Sequence, residues 1–374
     1  MWSITSHVII SPESNKPAMI SIYQQSLLAL LAFSPFLTSA VVILPEAFSN
    51  LEIPSSHRPA QRPISAQSPS STITPLPLVI WHGLGDSFDA DGIKAAVSIA
   101  EAINEGTYVK IVQLGKDGTA DRSATFFGNV TEQIEQVCHQ LASDNILRTA
   151  PAINALGFSQ GGQFLRAYVE RCNFPPVRNL VTFGSQHNGI SDFQGCASAF
   201  DLICQAANGL LKLGTWSEFV QSRLVPAQYF RDPEDLPHYL QSSNFLADVN
   251  NERALKNKTY ADNIASLNKF VMYMFADDTT VIPKQSAWFA EYNKTSEVVT
   301  PLAERLMYKE DWIGLRRLAD KGGLVFDLLK GEHMRFSDKD LKRVLREYFG
   351  PVRIDEDGNI WDDVDSGRSP QDEL

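Results

Sequence analysis

From Pro75 onward, short all-apolar runs alternate with amphipathic stretches. Leu78 to Trp81, within PLPLVIWHG, is a continuous apolar run that stops at Gly83, the pattern of a short strand buried on both faces. GIKAAVSIAEAI then has helical spacing, TYVKIVQLG reads as the next strand, and VTEQIEQVCHQLA places Ile134, Val137, Cys138 and Leu141 on one helical face. AINALGF, QGGQFLRAYVERC and NLVTFGS continue as strand, helix and strand. Strands alternating with helices predict βαβ units and a mostly parallel sheet flanked by helices. The rhythm breaks after Gly189. Residues 190–262 hold one short apolar helix, ANGLLKLGTW, among polar connections with several aromatics, and read as a helical insertion. KFVMYMF (269–275) and GLVFDLL (323–329) restore the strand pattern, and LKRVLREYF (341–349) is a closing helix.

The first 75 residues follow other rules. SLLALLAFSPFL (26–37) is apolar but too short for a bilayer, and Thr38-Ser39-Ala40 after it has the small-x-small form of a cleavage site. Residues 1–40 are therefore expected to be a signal peptide, with Met19 an alternative start, and no stable membrane span is expected after cleavage. Residues 41–75 are rich in Pro and Ser and read as a solvated linker. The domain proper is expected over 76–350, with an acidic tail over 351–374.

With 374 residues and 44% apolar content the chain can bury a substantial core. A net charge of −11 argues against a nucleic-acid partner. Four cysteines, Cys138, Cys172, Cys196 and Cys204, suit two disulfides in an oxidising compartment, with three connectivities open. Three sequons, at Asn129, Asn257 and Asn293, point the same way.

Gly157-Phe158-Ser159-Gln160-Gly161 matches G-x-S-x-G between a predicted strand and a predicted helix. Small neighbours let a sharp turn expose the hydroxyl, and the N-terminus of the following helix favours a developing oxyanion. A serine nucleophile needs a base and an orienting carboxylate, in the order Ser, acid, His in such a sheet. Of the later histidines, His187 follows its strand too early and His238 sits in a polar stretch of the insertion. His333, in the loop after the last strand, is the candidate base. ADD after KFVMYMF offers Asp277 and Asp278 as the acid, which spacing does not separate; Asp248 and Asp262 lie inside the insertion. The amide of Gln160 and one from WHGLGDS, where Gly83 and Gly85 let Leu84 turn inward, are the candidate oxyanion donors. His82 is read as a packing or hydrogen-bonding residue of that loop. No metal-ligand spacing, phosphate-binding loop or cofactor motif is present, so no cofactor is expected.

WHGLGDS, GFSQGGQFLRA, NLVTFGSQHNG, FLADVNNER, KFVMYMF and the late Gly-Glu-His together resemble the palmitoyl-protein thioesterase family over roughly residues 77–350. The resemblance implies an α/β-hydrolase fold and hydrolysis of palmitoyl thioesters on proteins or peptides in the lysosome. It implies Ser159 as nucleophile, His333 as base, Asp278 rather than Asp277 as acid, and Leu84 and Gln160 as oxyanion donors. It also implies the pairings Cys138–Cys172 and Cys196–Cys204 and a glycan at Asn257. Gly83, Phe230, Thr280 and Val281 are the expected lining of an acyl groove, though Thr280 stands where the family has an apolar residue. The cysteine pair that can follow the WHGxGDS loop is absent. The final Gln-Asp-Glu-Leu resembles an ER-retrieval tetrapeptide. The alternatives carried forward are a lipase or carboxylesterase with the same triad, a hydrolase-fold protein that only binds acylated partners, and a membrane-tethered lipid carrier that keeps the N-terminal run.

Overall fold

The computed structural model describes residues 72–193, 202–211 and 214–362. The expected signal peptide, nearly all of the linker, Cys196 and the end of the acidic tail lie outside the described residues. The described chain begins with β1 (Thr72–Thr74) and β2 (Leu78–Trp81), followed by helix α1 (Asp91–Ile103), β3 (Val109–Ile111), α2 (Gly118–Phe126) and α3 (Val130–Ser143). Next come β4 (Ile153–Phe158), α4 (Gln160–Arg171) and β5 (Val177–Phe183). A largely helical stretch that includes α5 (Leu202–Leu211) leads to β6 (Lys269–Phe275). An antiparallel hairpin, β7 (Glu291–Asn293) and β8 (Val298–Thr300), precedes β9 (Leu324–Leu329) and the long helix Asp338–Phe349.

Six strands form one sheet in the order β3-β2-β4-β5-β6-β9, and every neighbouring pair is parallel. Helices cover both faces, so the central strands read as unbroken apolar runs: all six residues of β4 are buried. One face packs Val79, Ala155, Phe270 and Met272 against α3 and α4; the other packs Ile80, Leu156 and Val181 against α1 and the C-terminal helix. Burying side chains such as Phe164 and Leu165 completely contributes about 1.5–3 kcal/mol each. In α4, every residue from Gln160 to Glu170 is buried, which makes it the central helix of the fold.

A second sheet falls where the sequence pattern placed linker and tail. β1 pairs antiparallel with β10 (Val352–Ile354), which pairs with β11 (Ile360–Asp362). The domain therefore extends past both expected boundaries, 76 and 350. These three strands lie in stretches rich in Pro and Ser or in acidic residues, so no apolar run marks them in the sequence. Leu76, Ala152 and Val352 bury a small cluster between this sheet and the N-terminal ends of the main strands.

Candidate active site

Four loops at the C-terminal edge of the parallel sheet converge. Ser159 follows β4, with φ 51° and ψ −121°, a strained conformation for a residue with a side chain. Its glycine neighbours supply space. A Cβ on Gly157 would lie 2.2 Å from the Cα of Gly162, and one on Gly161 would lie 2.3 Å from the carbonyl oxygen of Trp81. The G-x-S-x-G spacing thus lets α4 lie against β2 and β4 while the serine itself carries the strain.

His333 Nε2 is 3.0 Å from Ser159 Oγ, and His333 Nδ1 is 2.7 Å from Asp278 Oδ2. Asp278 Oδ1 accepts from the amides of Thr280 (2.8 Å) and Val281 (2.9 Å), which fixes the carboxylate. Asp278 is buried, whereas Asp277 is exposed and its amide donates to the carbonyl of Gly331 (2.9 Å). The other histidines are elsewhere. His187 is fully buried, 3.0 Å from Thr182 Oγ1 and stacked on Phe289. Burial, helped by the Arg166 charge, pushes its pKa well below the ordinary value, so it is neutral. His238 is half-exposed beside Asp235 and Trp216. Asp248 bonds Arg171 and the Tyr260 hydroxyl, and Asp262 pairs with Arg317.

The Leu84 loop is tied down by residues the sequence reading passed over. Asp121, on α2 and fully buried, receives His82 Nε2 (2.7 Å) and the amides of Phe88 (2.8 Å), Leu114 (2.6 Å) and Gly115 (3.0 Å). Burial pushes its carboxyl pKa up, but the bonds from His82 and from the Gly115 and Leu114 amides win and hold it below the usual carboxylate range. Arg122 Nε donates to the Gly85 carbonyl (2.8 Å), and the Gly85 amide donates to Thr125 Oγ1 (2.9 Å). Gln160 is buried, its amide group bridging the Thr125 carbonyl (3.3 Å) and the Tyr229 hydroxyl (3.0 Å). Gly184 was also missed. It has φ 56°, and a Cβ there would lie 3.0 Å from Cε1 of His333, so its bareness makes room for the imidazole. The only sequence signal was its place at the end of a buried strand.

A cavity of about 650 Å³ opens beside Ser159 and His333, within the size range of small-molecule sites. Gly83, Leu84, Thr280 and Val281 line it near the serine. Ile190, Phe193, Ala207, Leu224 and Tyr229, all from the insertion, form one wall, and Ile93, Ala96 and Ile99 of α1 lie on its lining as well. Phe230, expected on this lining, is not among the residues that form it. Its ring stacks on that of Phe193 at 4.8 Å, one layer further out. Cys138 and Cys172 form a disulfide that joins α3 to the end of α4. Cys204 is not a free thiol; its expected partner, Cys196, lies outside the described residues. Among the described residues no group of acidic, His or Cys side chains could hold a metal ion, and no helix is long and apolar enough to cross a membrane.

Comparison with known proteins places these features in a family. The family model described as palmitoyl protein thioesterase matches residues 77–333, a span that runs from Pro77, just before β2, to His333. The chain is 37% identical over 277 residues to palmitoyl-protein thioesterase 1 of Caenorhabditis elegans, covering 73% of this chain and 92% of that one. It is 34% identical over 274 residues to palmitoyl-protein thioesterase 3 of Dictyostelium discoideum, covering 73% and 89%. At 26% identity over 265 residues it is similar to the lysosomal thioesterase PPT2 homolog of Drosophila melanogaster, covering 70% and 86%. With its parallel sheet and its serine between β4 and α4, the chain is an α/β-hydrolase and belongs to the palmitoyl protein thioesterase family.

Proposed function

We propose that this protein hydrolyses long-chain acyl thioesters, palmitoyl above all, on cysteines of proteins or peptides, through an acyl-enzyme on Ser159. One observation carries the reading: the hydrogen-bonded chain Asp278–His333–Ser159 presents Ser159 and His333 on the lining of a largely apolar cavity. His333 Nε2 takes the serine proton as Oγ attacks the thioester carbonyl, and Asp278 holds the imidazole in the orientation and tautomer this needs. The amides of Leu84 and Gln160, the latter at the positive end of α4, receive the oxyanion. The thiolate departs with the proton from His333, and water, activated by the same imidazole, releases the fatty acid. Each methylene of the acyl chain buried in the cavity contributes about 0.8 kcal/mol, which favours long chains.

The Cys138–Cys172 disulfide and the lysosomal name of a relative support a lumenal setting in the secretory pathway. Among the sequons, Asn257 is exposed and its side-chain oxygen caps a helix by accepting from the Thr259 amide (3.0 Å), which leaves its nitrogen for a glycan.

Ser159→Ala is expected to abolish release of palmitate from a palmitoyl-cysteine peptide and labelling by a fluorophosphonate, with thermal unfolding unchanged. Full turnover in that variant refutes the nucleophile. An oxygen ester of equal chain length, assayed alongside, is expected to react more slowly; a preference for the ester makes the protein a lipase or carboxylesterase.

A further inference from the structure

The His82–Asp121 pair lies outside the hydrogen-bonded chain of the proposed triad, yet it is buried and adjacent to it. His82 is buried, and its two ring nitrogens both face acceptors: Asp121 Oδ2 at 2.7 Å from Nε2 and the Gly83 carbonyl oxygen at 3.2 Å from Nδ1. The Asp121 carboxylate that holds Nε2 is itself fixed by three backbone amides. The Gly83 carbonyl belongs to the same peptide unit as the Leu84 amide. In a trans peptide the C=O and N–H point in opposite directions. The Gly83 oxygen also accepts from the Asp86 amide at 3.3 Å, so it is turned into the loop and the Leu84 N–H is turned out of it. Gly83 lies directly against Ser159: a Cβ added to it would be 3.1 Å from the serine Cβ.

We propose that His82, anchored by Asp121, is a positioning residue for the oxyanion site: its Nδ1 contact with the Gly83 carbonyl fixes the Gly83–Leu84 peptide plane and aims the Leu84 N–H toward the developing negative charge. This inference rests on the reading of Ser159 as nucleophile. A peptide plane already held in place needs no reorganisation as charge develops, so the Leu84 amide is aimed before the reaction begins. The effect is felt where charge develops, so it acts on the transition state rather than on acyl binding.

The test compares His82→Gln and Asp121→Asn with the parent protein in three measurements: kcat/KM on a palmitoyl-cysteine peptide, affinity for a long-chain trifluoromethyl ketone, and affinity for palmitate. The ketone forms a hemiketal oxyanion with the serine, whereas palmitate reads only the cavity. Removing one oxyanion donor lowers kcat by on the order of 10²–10³, and losing its fixed orientation is expected to lower kcat/KM by about 10–10². Ketone affinity should fall by the same factor in both variants, with palmitate affinity unchanged. The proposal is overturned if kcat/KM stays within about twofold of the parent, if ketone affinity is retained while the rate falls, or if palmitate affinity falls equally, which marks a collapse of the loop. Full activity of Ser159→Ala would instead refute the underlying reading.

Discussion

Asp277 and Asp278 are separated by one peptide bond and differ in everything that matters to a histidine. Asp278 is buried, with its carboxylate fixed by the Thr280 and Val281 amides; Asp277 points to solvent. Asp278→Asn should lower kcat by roughly 10⁴, as loss of the correct imidazole tautomer does in serine triads, while Asp277→Asn should alter stability by less than about 0.5 kcal/mol and leave turnover in place. Comparable losses in both would contradict the assignment. Gly184 supplies a second test. Gly184→Ala puts a Cβ at 3.0 Å from the imidazole in a left-handed backbone, and should cost on the order of 10²-fold in kcat by displacing His333. Wild-type rates in that variant would show that the imidazole has room to spare. At this scale the sequence was legible where chemistry leaves a local signature. The serine was readable because its glycines are its neighbours in the chain. Gly184 and Asp121 act on partners distant in sequence, so no local pattern marks them.

Among the elements, those with an apolar run or stripe were legible and the polar ones were not. Strands β2, β4, β5 and β6 and helices α1, α3 and α4 stand where the apolar runs and helical stripes predicted, because each buries a continuous face; β9 is equally apolar in sequence but, at the edge of the sheet, buries only Leu329. Helix α2, GTADRSATF, is capped by Asp117 and buries only Asp121, Thr125 and Phe126, so it has no apolar stripe to detect. It nevertheless holds the Leu84 loop through Asp121, Arg122 and Thr125. The disulfide between α3 and α4 closes a loop with a sequence separation of 34. Replacing Cys138 and Cys172 by alanine should lower unfolding free energy by roughly 4 kcal/mol on the chain-entropy account. Urea denaturation measures this, and an unchanged midpoint would show that the crosslink adds no stability.

For the molecule as a whole, pH acts through a buried carboxyl. Glu170 on α4 is fully buried; Oε1 accepts from Arg166 (2.8 Å), and among the described residues Oε2 has no hydrogen-bond partner. Burial pushes its pKa up, with Arg166 opposing, to about 7. The folded protein therefore holds a proton that the unfolded chain, near 4.5, has released. Stability falls as pH rises through that window, by at most about 1.4 kcal/mol per pH unit, and is greatest on the acidic side. Glu170→Gln should flatten the dependence of the unfolding midpoint on pH between these values; an unaltered slope would assign it to other groups.

The small sheet β1-β10-β11 has a practical consequence. Ser159, Asp278, His333 and Leu84 all follow the carboxyl ends of parallel strands, whereas β1 and the cluster around Leu76 sit beneath their amino ends. The described chain thus enters and departs on two strands that flank a third, on the side away from the catalytic mouth. A bead, a surface or a fused reporter joined next to either of those outer strands would leave bulky acylated clients a clear approach.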